Sequence, residues 1–304
     1  MTKARFQHWF DAKGWVGLLI GTPYVWLLVL FLLPFLIVVA MSVATNTPTA
    51  PPFSFGGEHP WINLEPFSRV VLDGLYLRAF LTSVVNAFVA MIFCLLIGYP
   101  MALGLTRVSK SWRNILLMLV ILPFWTSFLL RVYAWMGLMG KNSWFNGLLT
   151  DAWNFLVPLS WAVSSVPMMY TNFAVILVMV YTYLPFMILP LYASLERLDP
   201  TLDEAAMDLG SRPFQVFWDV TLPQSIPGIV AGGMLVFIPA AGELVIPSLV
   251  GNAAQPMIGK VILDEFGQAR DWPMASAVSV ALLILMVIPT MIYSRSQAKA
   301  EKVR

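Results

Sequence analysis

The residues of this chain that are best placed to act lie in one charged segment between two long apolar stretches. The segment reads Glu-Ala-Ala-Met-Asp-Leu-Gly from position 204 to 210, and an arginine follows two residues later. Its candidate residues, which combine two acids and one base with small or apolar side chains, are Glu204, Ala205, Ala206, Asp208, Leu209, Gly210 and Arg212. Small apolar residues beside acids give a short helix a face that can enter a groove on another protein.

Local signals predict a short helix within this segment. Pro200 suits the first helical position, and Asp203 with Glu204 favours the positive N-terminal end of a helix. Gly210 permits the sharp reversal that ends such a helix, and Pro213 begins a second short one. On composition alone, an ordinary solvated amphipathic loop fits these residues equally well.

Two charged residues, Glu243 and Arg131, lie inside apolar stretches. A charge at that depth costs about 2.5–3.5 kcal/mol on insertion scales, so it needs a partner or a water-lined surface. Glu243 follows Gly242 and has a proline four residues to either side, where a broken helix can turn free carbonyls toward a cavity. Counting along straight helices places the two charges at similar depth. We predict that they pair, or share a polar network, near an external gate.

Aromatic side chains near the middle of the apolar stretches are further pathway candidates: Trp125, Tyr181 and Tyr183. Each cation–π contact contributes about 0.5–2 kcal/mol, so several such rings suit the passage of a cation better than one tight site. Packing and lipid-facing roles remain the alternative for each ring.

The composition requires lipid as the solvent for these elements. The 304 residues are 59% hydrophobic and only 11% charged, whereas soluble domains are about 45–50% apolar and about 25% charged. About 20 apolar residues cross a bilayer as a helix. The windows that meet this length are 15–41, 80–105, 115–139, 172–195, 226–250 and 275–294. We therefore predict an all-α integral membrane protein of about six transmembrane helices, with a short interfacial helix at Asn146–Leu156.

The distribution of Lys and Arg predicts the orientation. With the N-terminus inside, 12 of the 18 basic residues lie inside and five outside, and Arg131 lies within a span. The predicted organisation is a cytoplasmic N-terminal segment 1–14, a transmembrane domain 15–294 and a cytoplasmic C-terminal tail 295–304. Within the domain, an external loop covers 42–79, and the charged segment lies in a cytoplasmic loop at 196–225.

Several function classes find no support. The net charge of +2 does not indicate nucleic acid, and Cys94 is the only cysteine, so no disulfide forms within the chain. His8 and His59 lack further ligands at metal spacing, and we expect no metal site. The spans contain neither a nucleophile–base pair nor a phosphate-binding Gly-x-x-x-x-Gly-Lys-[Ser/Thr] motif. We expect no catalytic residue, and any ATP must be handled by a partner.

The loop at 196–225 resembles the coupling loop of type I, binding-protein-dependent ABC importer permeases. The shared pattern is Glu-Ala-Ala, a Gly four residues after the second Ala, and Leu-Pro about a dozen residues later, before the penultimate span. Other stretches resemble the putrescine/spermidine importer permeases, most closely the first permease of the putrescine system. They are Leu96–Pro100, Arg113–Leu117, Leu122–Gly137, Phe237–Pro247 and Arg270–Val278.

The resemblance implies the type I ABC importer permease fold and a non-catalytic subunit of a polyamine importer in the bacterial inner membrane. It implies a second permease subunit, two copies of a cytoplasmic ATPase that binds ATP and Mg, and a periplasmic polyamine-binding protein. By the same resemblance, Glu204, Ala205, Ala206 and Gly210 contact the ATPase. Three alternatives remain open: an ABC permease for an opine, iron chelate or anion, a secondary transporter or channel, and an intramembrane enzyme.

Overall fold

A computed structural model describes residues 17, 19–56, 61–156 and 163–301. The predicted N-terminal segment 1–14, with His8, and also His59 lie outside the described residues. The helices are α1 (Leu19–Met41), α2 (Glu65–Leu72), α3 (Gly74–Arg107), α4 (Lys110–Ile121), α5 (Phe128–Met139), α6 (Trp144–Leu156), α7 (Asn172–Leu195), α8 (Pro200–Asp208), α9 (Pro213–Ala241), α10 (Val245–Val250), α11 (Ile258–Asp264) and α12 (Trp272–Glu301). A two-stranded antiparallel sheet pairs β1 (Thr45–Asn46) with β2 (Phe53–Ser54).

The chain divides into two compact units. The first contains residues up to Leu72 together with Glu265–Ala281. Within it, α1 is apolar and almost wholly exposed, as expected of a helix that lies against lipid or another membrane chain. The ring of Phe266 stacks on Trp272 at 4.8 Å, and Arg69 forms an ion pair with Asp271 at 3.4 Å. The predicted external loop therefore contains ordered elements, the small sheet and α2.

The second unit comprises Asp73–Asp264 and the residues from Leu282 onward, and its core is formed by α3, α7 and α9. Small residues let these helices approach closely. A methyl group on Gly228 of α9 would lie 2.5 Å from the Ser194 Cβ of α7, and one on Gly232 would lie 3.1 Å from the Met187 backbone oxygen. The two glycines are four residues apart, the spacing typical of tight helix contacts in membranes. Cys94 is fully buried here, as expected of a small apolar residue.

The spans are less continuous than the sequence windows predict. Among the described residues, four helices are long and apolar enough to cross a membrane, and α12 contributes a shorter apolar stretch, Trp272–Ile288. The window 115–139 is not one straight helix: α4 continues as a 3₁₀ turn to Trp125, and α5 then leaves at 91°. The window 226–250 is also interrupted, because α9 ends at Ala241 and α10 begins at Val245. The predicted helix at Asn146–Leu156 is confirmed as α6.

Candidate functional site

The helix α8 begins where the sequence predicts. Asp199 is its N-cap: the Oδ1 atom of Asp199 accepts a hydrogen bond of 3.0 Å from the backbone N–H of Thr201, and Pro200 is the first helical residue. This bond lowers the pKa of the Asp199 carboxyl below its usual range. Asp203, in the first turn, adds a negative charge at the positive end of the helix.

The end of α8 depends on Gly210. Its φ of +94° lies in the left-handed region, which only glycine adopts without strain. The Gly210 N–H donates to the Met207 carbonyl at 2.9 Å, and the Ser211 N–H donates to the Ala206 carbonyl at 3.1 Å. This pair of bonds is a Schellman motif, which satisfies two carbonyls that the helix leaves open. The sharp reversal expected after Leu209 is confirmed.

The predicted coupling residues form an exposed surface. Leu209 is 89% exposed. The exposed members of the predicted set are Glu204, Ala205, Asp208, Leu209, Gly210 and Arg212, and Ala206 is partly buried. Sequence reasoning missed Phe214 and Trp218, two exposed aromatic residues on the first turns of α9, whose ring centroids lie 6.1 Å apart. An apolar side chain as exposed as that of Leu209, between two helices, is typical of a protein contact site.

The predicted coupling residues are connected to the helical core by an almost unbroken helical path. Only Leu209–Arg212 separate α8 from α9, and α9 runs without interruption from Pro213 to Ala241 through one π-helical turn. The hydroxyl of Tyr99 on α3 lies 2.9 Å from Ser225 Oγ, in a buried hydrogen bond that ties α9 to its neighbour. Four residues and one continuous helix therefore connect α8 to the core.

An ion pair links the start of α4 to the residue that follows α7. Arg113 at the start of α4 bonds to Glu196 Oε1 at 2.8 Å, and its second terminal nitrogen donates to the Thr106 carbonyl at 3.2 Å. The same two charged residues help to line a cavity of about 380 Å³ behind α8, which also contacts Asp199 and Asp203. The contacts join the cytoplasmic ends predicted for three spans.

The carboxylate of Glu243 accepts hydrogen bonds from the backbone that follows it and from one tyrosine. Glu243 Oε1 accepts hydrogen bonds from the backbone N–H groups of Leu244 at 3.1 Å and Val245 at 3.0 Å, and a longer one from Ile246 at 3.5 Å. Its Oε2 atom accepts the hydroxyl of Tyr183 on α7. The carboxylate thus caps the first turn of α10, whose N–H groups have no partner within the helix. The predicted break beside Gly242 is present.

The expected pairing of Arg131 with Glu243 is absent from the described residues. The nearest rings to the guanidinium carbon of Arg131 belong to Phe124 at 5.9 Å and Phe128 at 5.8 Å. Its Nε and Nη1 atoms are buried and have no acceptor there. The expectation was wrong because depth was counted along a straight helix, whereas the chain turns by 91° just before Arg131.

The three aromatic candidates occupy different surroundings. Tyr183 is buried on α7, and its hydroxyl donates to Glu243. Tyr181 is partly exposed and packs edge-on against Trp135, with ring centroids 5.5 Å apart. Trp125 is 75% exposed at the end of the 3₁₀ turn. The structure therefore brings only Tyr183 to the intramembrane acid.

Two kinds of residue near this acid escaped sequence reasoning. The first is a row of phenylalanines: Phe124 packs edge-on against Phe186 at 5.1 Å, and Phe186 lies 6.2 Å from Tyr183. The second is Gly259 of α11, where a methyl group would lie 2.6 Å from the Glu243 carbonyl oxygen. The only sequence signal for the row was Pro123, a residue that limits helix continuation.

Comparison with known proteins gives consistent matches. The family model described as binding-protein-dependent transport system inner membrane component matches residues 94–302. The spermidine/putrescine transport system permease protein PotB of Haemophilus influenzae is 38% identical over 271 residues, covering 89% of this chain and 90% of the relative. PotB of Escherichia coli K12 is 36% identical over 277 residues, covering 91% and 96%.

A solved structure matches the fold at lower identity. It is the crystal structure of a bacterial alginate ABC transporter in complex with an alginate pentasaccharide-bound periplasmic protein. The TM-score is 0.71 over 96% of this chain and 97% of that one, at 16% sequence identity. Such an identity shows the fold alone, and that fold is the ABC importer permease architecture expected from the sequence.

Proposed function

The chain belongs to the family of binding-protein-dependent transport system inner membrane components, and from this premise we propose that it is a permease subunit of an ATP-driven importer of spermidine and putrescine. Its likeness to permeases named for these two polyamines, 36–38% identity over 89–91% of the chain, carries the substrate assignment. As a membrane component of the family, it is the permease and not the catalytic subunit.

The finer composition of the complex is part of the proposal. The family description itself requires a binding protein, and an ABC system requires an ATPase. We assign to this chain one second, different permease subunit, two copies of the ATPase, and a periplasmic protein that delivers the polyamine. ATP and Mg bind the ATPase, and this chain binds no cofactor of its own. The protein is a multi-pass inner-membrane protein, and both termini face the cytoplasm in this proposal.

The coupling surface is proposed to dock on the ATPase. Exposed Leu209, with Phe214 and Trp218 beyond the reversal at Gly210, supplies apolar contact area, and the acids Glu204 and Asp208 supply charge. When the two ATPase copies close on ATP, they draw these surfaces together. Because α9 is continuous from Pro213 into the core, the movement tilts the spans and opens the pathway outward. Hydrolysis then restores the inward-facing state.

The pathway is proposed to pass the two interrupted spans. Arg131, Trp125, Tyr181, Tyr183 and Glu243 are its candidate residues. Rings contribute several weak cation–π contacts, which suit the passage of a flexible polycation. Tyr183 and Glu243 act there as a linked pair, since the hydroxyl of one bonds to the carboxylate of the other.

Uptake of labelled putrescine and spermidine tests the assignment. Cells that lack their own polyamine importers receive the full set of subunits, with or without this chain. We expect ATP-dependent accumulation only when the chain is present, with competition by unlabelled polyamines and none by alginate or molybdate. Equal accumulation without the chain, or transport of another solute in preference to polyamines, contradicts the proposal.

A further inference from the structure

The break between α9 and α10 leaves two neighbouring backbone carbonyl groups open, those of Gly242 and Glu243. Within the part of the chain that the structure describes, no N–H or O–H group donates a hydrogen bond to either oxygen. Carbonyl groups inside a span are otherwise paired, because lipid offers them no donor. Two unpaired oxygens side by side therefore mark a place where a donor from outside the chain can bind.

The two oxygens border the same space, beside Gly259 of α11. A methyl group on Gly259 would lie 2.6 Å from the Glu243 oxygen and 2.8 Å from the Gly242 oxygen. A nitrogen atom near that point is within hydrogen-bond reach of both oxygens, since charge-assisted N–H···O bonds measure about 2.7–2.9 Å. Because the oxygens offer two acceptors, they suit a ligand group that carries several N–H bonds and a positive charge.

Helix α11 covers this space in the structure. Gly259 is buried, and the N–H of the neighbouring Ile258 donates to the Ser83 hydroxyl of α3 at 2.7 Å, in a buried hydrogen bond. Atoms that are not bonded to each other need a separation of about 3.5 Å, so a ligand nitrogen at the two oxygens requires the Gly259 Cα to withdraw by about 2 Å. The hydrogen bond to Ser83 therefore restrains the opening of this space.

We propose that the carbonyl oxygens of Gly242 and Glu243 are a binding site for a primary ammonium group, and that α11 is its cover. The inference rests on the proposed function, because it assigns the site to one amino end of a polyamine. The Glu243 carboxylate supplies the balancing charge, and Tyr183 with the first N–H groups of α10 holds that carboxylate in place. A quaternary ammonium group carries the same charge but no N–H bond, so it forms no hydrogen bond with the two oxygens.

Competition binding to the complete complex in lipid nanodiscs, without the binding protein, tests the site. Unlabelled putrescine, butylamine and butyltrimethylammonium compete against labelled putrescine. Ser83→Ala removes the acceptor of the Ile258 N–H and thereby raises the fraction of complexes in which α11 is withdrawn. Loss of one hydrogen bond corresponds to about fivefold in that fraction, so we expect putrescine and butylamine to bind about fivefold more tightly. The two primary amines gain equally because each places one ammonium group at the site, and butyltrimethylammonium should bind as it does to the wild type.

Ser279→Ala is the matched control, because the Ser279 hydroxyl donates within its own helix, to the Ala275 carbonyl at 2.7 Å. We expect this variant to leave all three affinities unchanged. If Ser83→Ala does not assemble, Ser83→Cys carries the same expectation with a smaller gain, since sulfur is a weaker acceptor than a hydroxyl oxygen.

Two results overturn the site: an unchanged putrescine affinity in Ser83→Ala, or a gain for butyltrimethylammonium equal to that for butylamine. A wild-type complex that accumulates no polyamine overturns the proposed function instead. Labelled butylamine then tests the site by itself, because the same difference between the primary and the quaternary amine is expected in Ser83→Ala.

Discussion

The hydroxyl of Tyr183 donates a hydrogen bond to the carboxylate of Glu243, and this bond joins α7 to the break between α9 and α10. The other carboxylate oxygen accepts the N–H groups of Leu244 and Val245 at the start of α10. The charge of the intramembrane acid is thus compensated by one phenol and the backbone of the helix that follows. The hydrogen bond from Tyr183 therefore fixes the break between α9 and α10 against α7.

We predict that Tyr183→Phe and Glu243→Gln impair the same interaction. Tyr183→Phe leaves one carboxylate oxygen without its donor, at a cost of about 1–3 kcal/mol. Glu243→Gln removes the charge that strengthens all of these bonds. Both should lower the melting temperature of the purified complex and slow polyamine uptake, and the double variant should be little worse than the poorer single one.

The matched control is Tyr133→Phe, which removes a hydroxyl from an exposed tyrosine of α5. We expect its melting temperature and uptake to be close to wild type. Strictly additive losses in the double variant would mean that the two residues act independently, contrary to the geometry.

The coupling surface yields a second prediction. Leu209→Asp places a charge on the most exposed apolar residue of the loop, where we expect the ATPase to dock. Loss of a central apolar contact typically weakens an interface by about tenfold or more. We expect less ATPase to copurify with the permease and ATP hydrolysis to become independent of the polyamine-loaded binding protein.

Leu64→Asp provides the control for Leu209→Asp. Leu64 is 63% exposed and lies in the predicted external loop, so the same substitution there should leave the copurification of the ATPase unchanged. If Leu209→Asp retains full association and coupled hydrolysis, the proposed docking surface is wrong.

Local signals in the sequence predicted the coupling helix well. The Asp199 cap, Pro200 and Gly210 each act on their immediate neighbours, so their effects are readable without a structure. The Arg131 environment depends on tertiary packing. The sequence shows Pro123, but the contact of Phe124 with Phe186 joins two helices that are far apart in the chain.

The hydrogen bonds by which Glu243 caps α10 could not be predicted from the sequence either. The sequence predicted a broken helix beside Gly242, and it also indicated a polar partner for the acid. It could not indicate that the partners are backbone N–H groups, because these become available only when α10 begins directly after the break. The prediction that Arg131 is the partner of Glu243 considered charged side chains alone.

A third prediction concerns the cap of α8. Asp199→Ala removes the acceptor of the Thr201 N–H and should fray the first turn of the coupling helix, whereas Asp199→Ser retains an acceptor. Because the pKa of Asp199 is lower in the folded chain than in the unfolded one, its stabilising effect is full above the unfolded pKa. The effect is lost only as the pH falls through the still lower folded pKa.

The measurement compares uptake by the wild type and by the two Asp199 variants between about pH 6 and 8, where an aspartate of normal or lowered pKa stays ionised. We expect Asp199→Ala to be slower than the wild type by a factor that does not change across this range, and Asp199→Ser to lie closer to the wild type. A factor that varied strongly with pH would require a different titrating group, and equal rates in both variants would show that the cap does not matter for coupling.

The contact between α7 and α9 gives the last prediction. A methyl group on Gly228 would lie 2.5 Å from Ser194 Cβ and 3.1 Å from the Pro190 carbonyl oxygen, so Gly228→Ala must push the two helices apart. Such overpacking costs about 1–3 kcal/mol.

Gly104→Ala is the matched control, because Gly104 lies in α3 with no atom near its added methyl, and alanine favours a helix by about 0.5–1 kcal/mol. Thermal unfolding of the complex should therefore shift down for Gly228→Ala and stay level or rise for Gly104→Ala. Equal shifts in both variants would mean that α7 and α9 separate easily at this point, and α9 would then be a poor lever for moving the core.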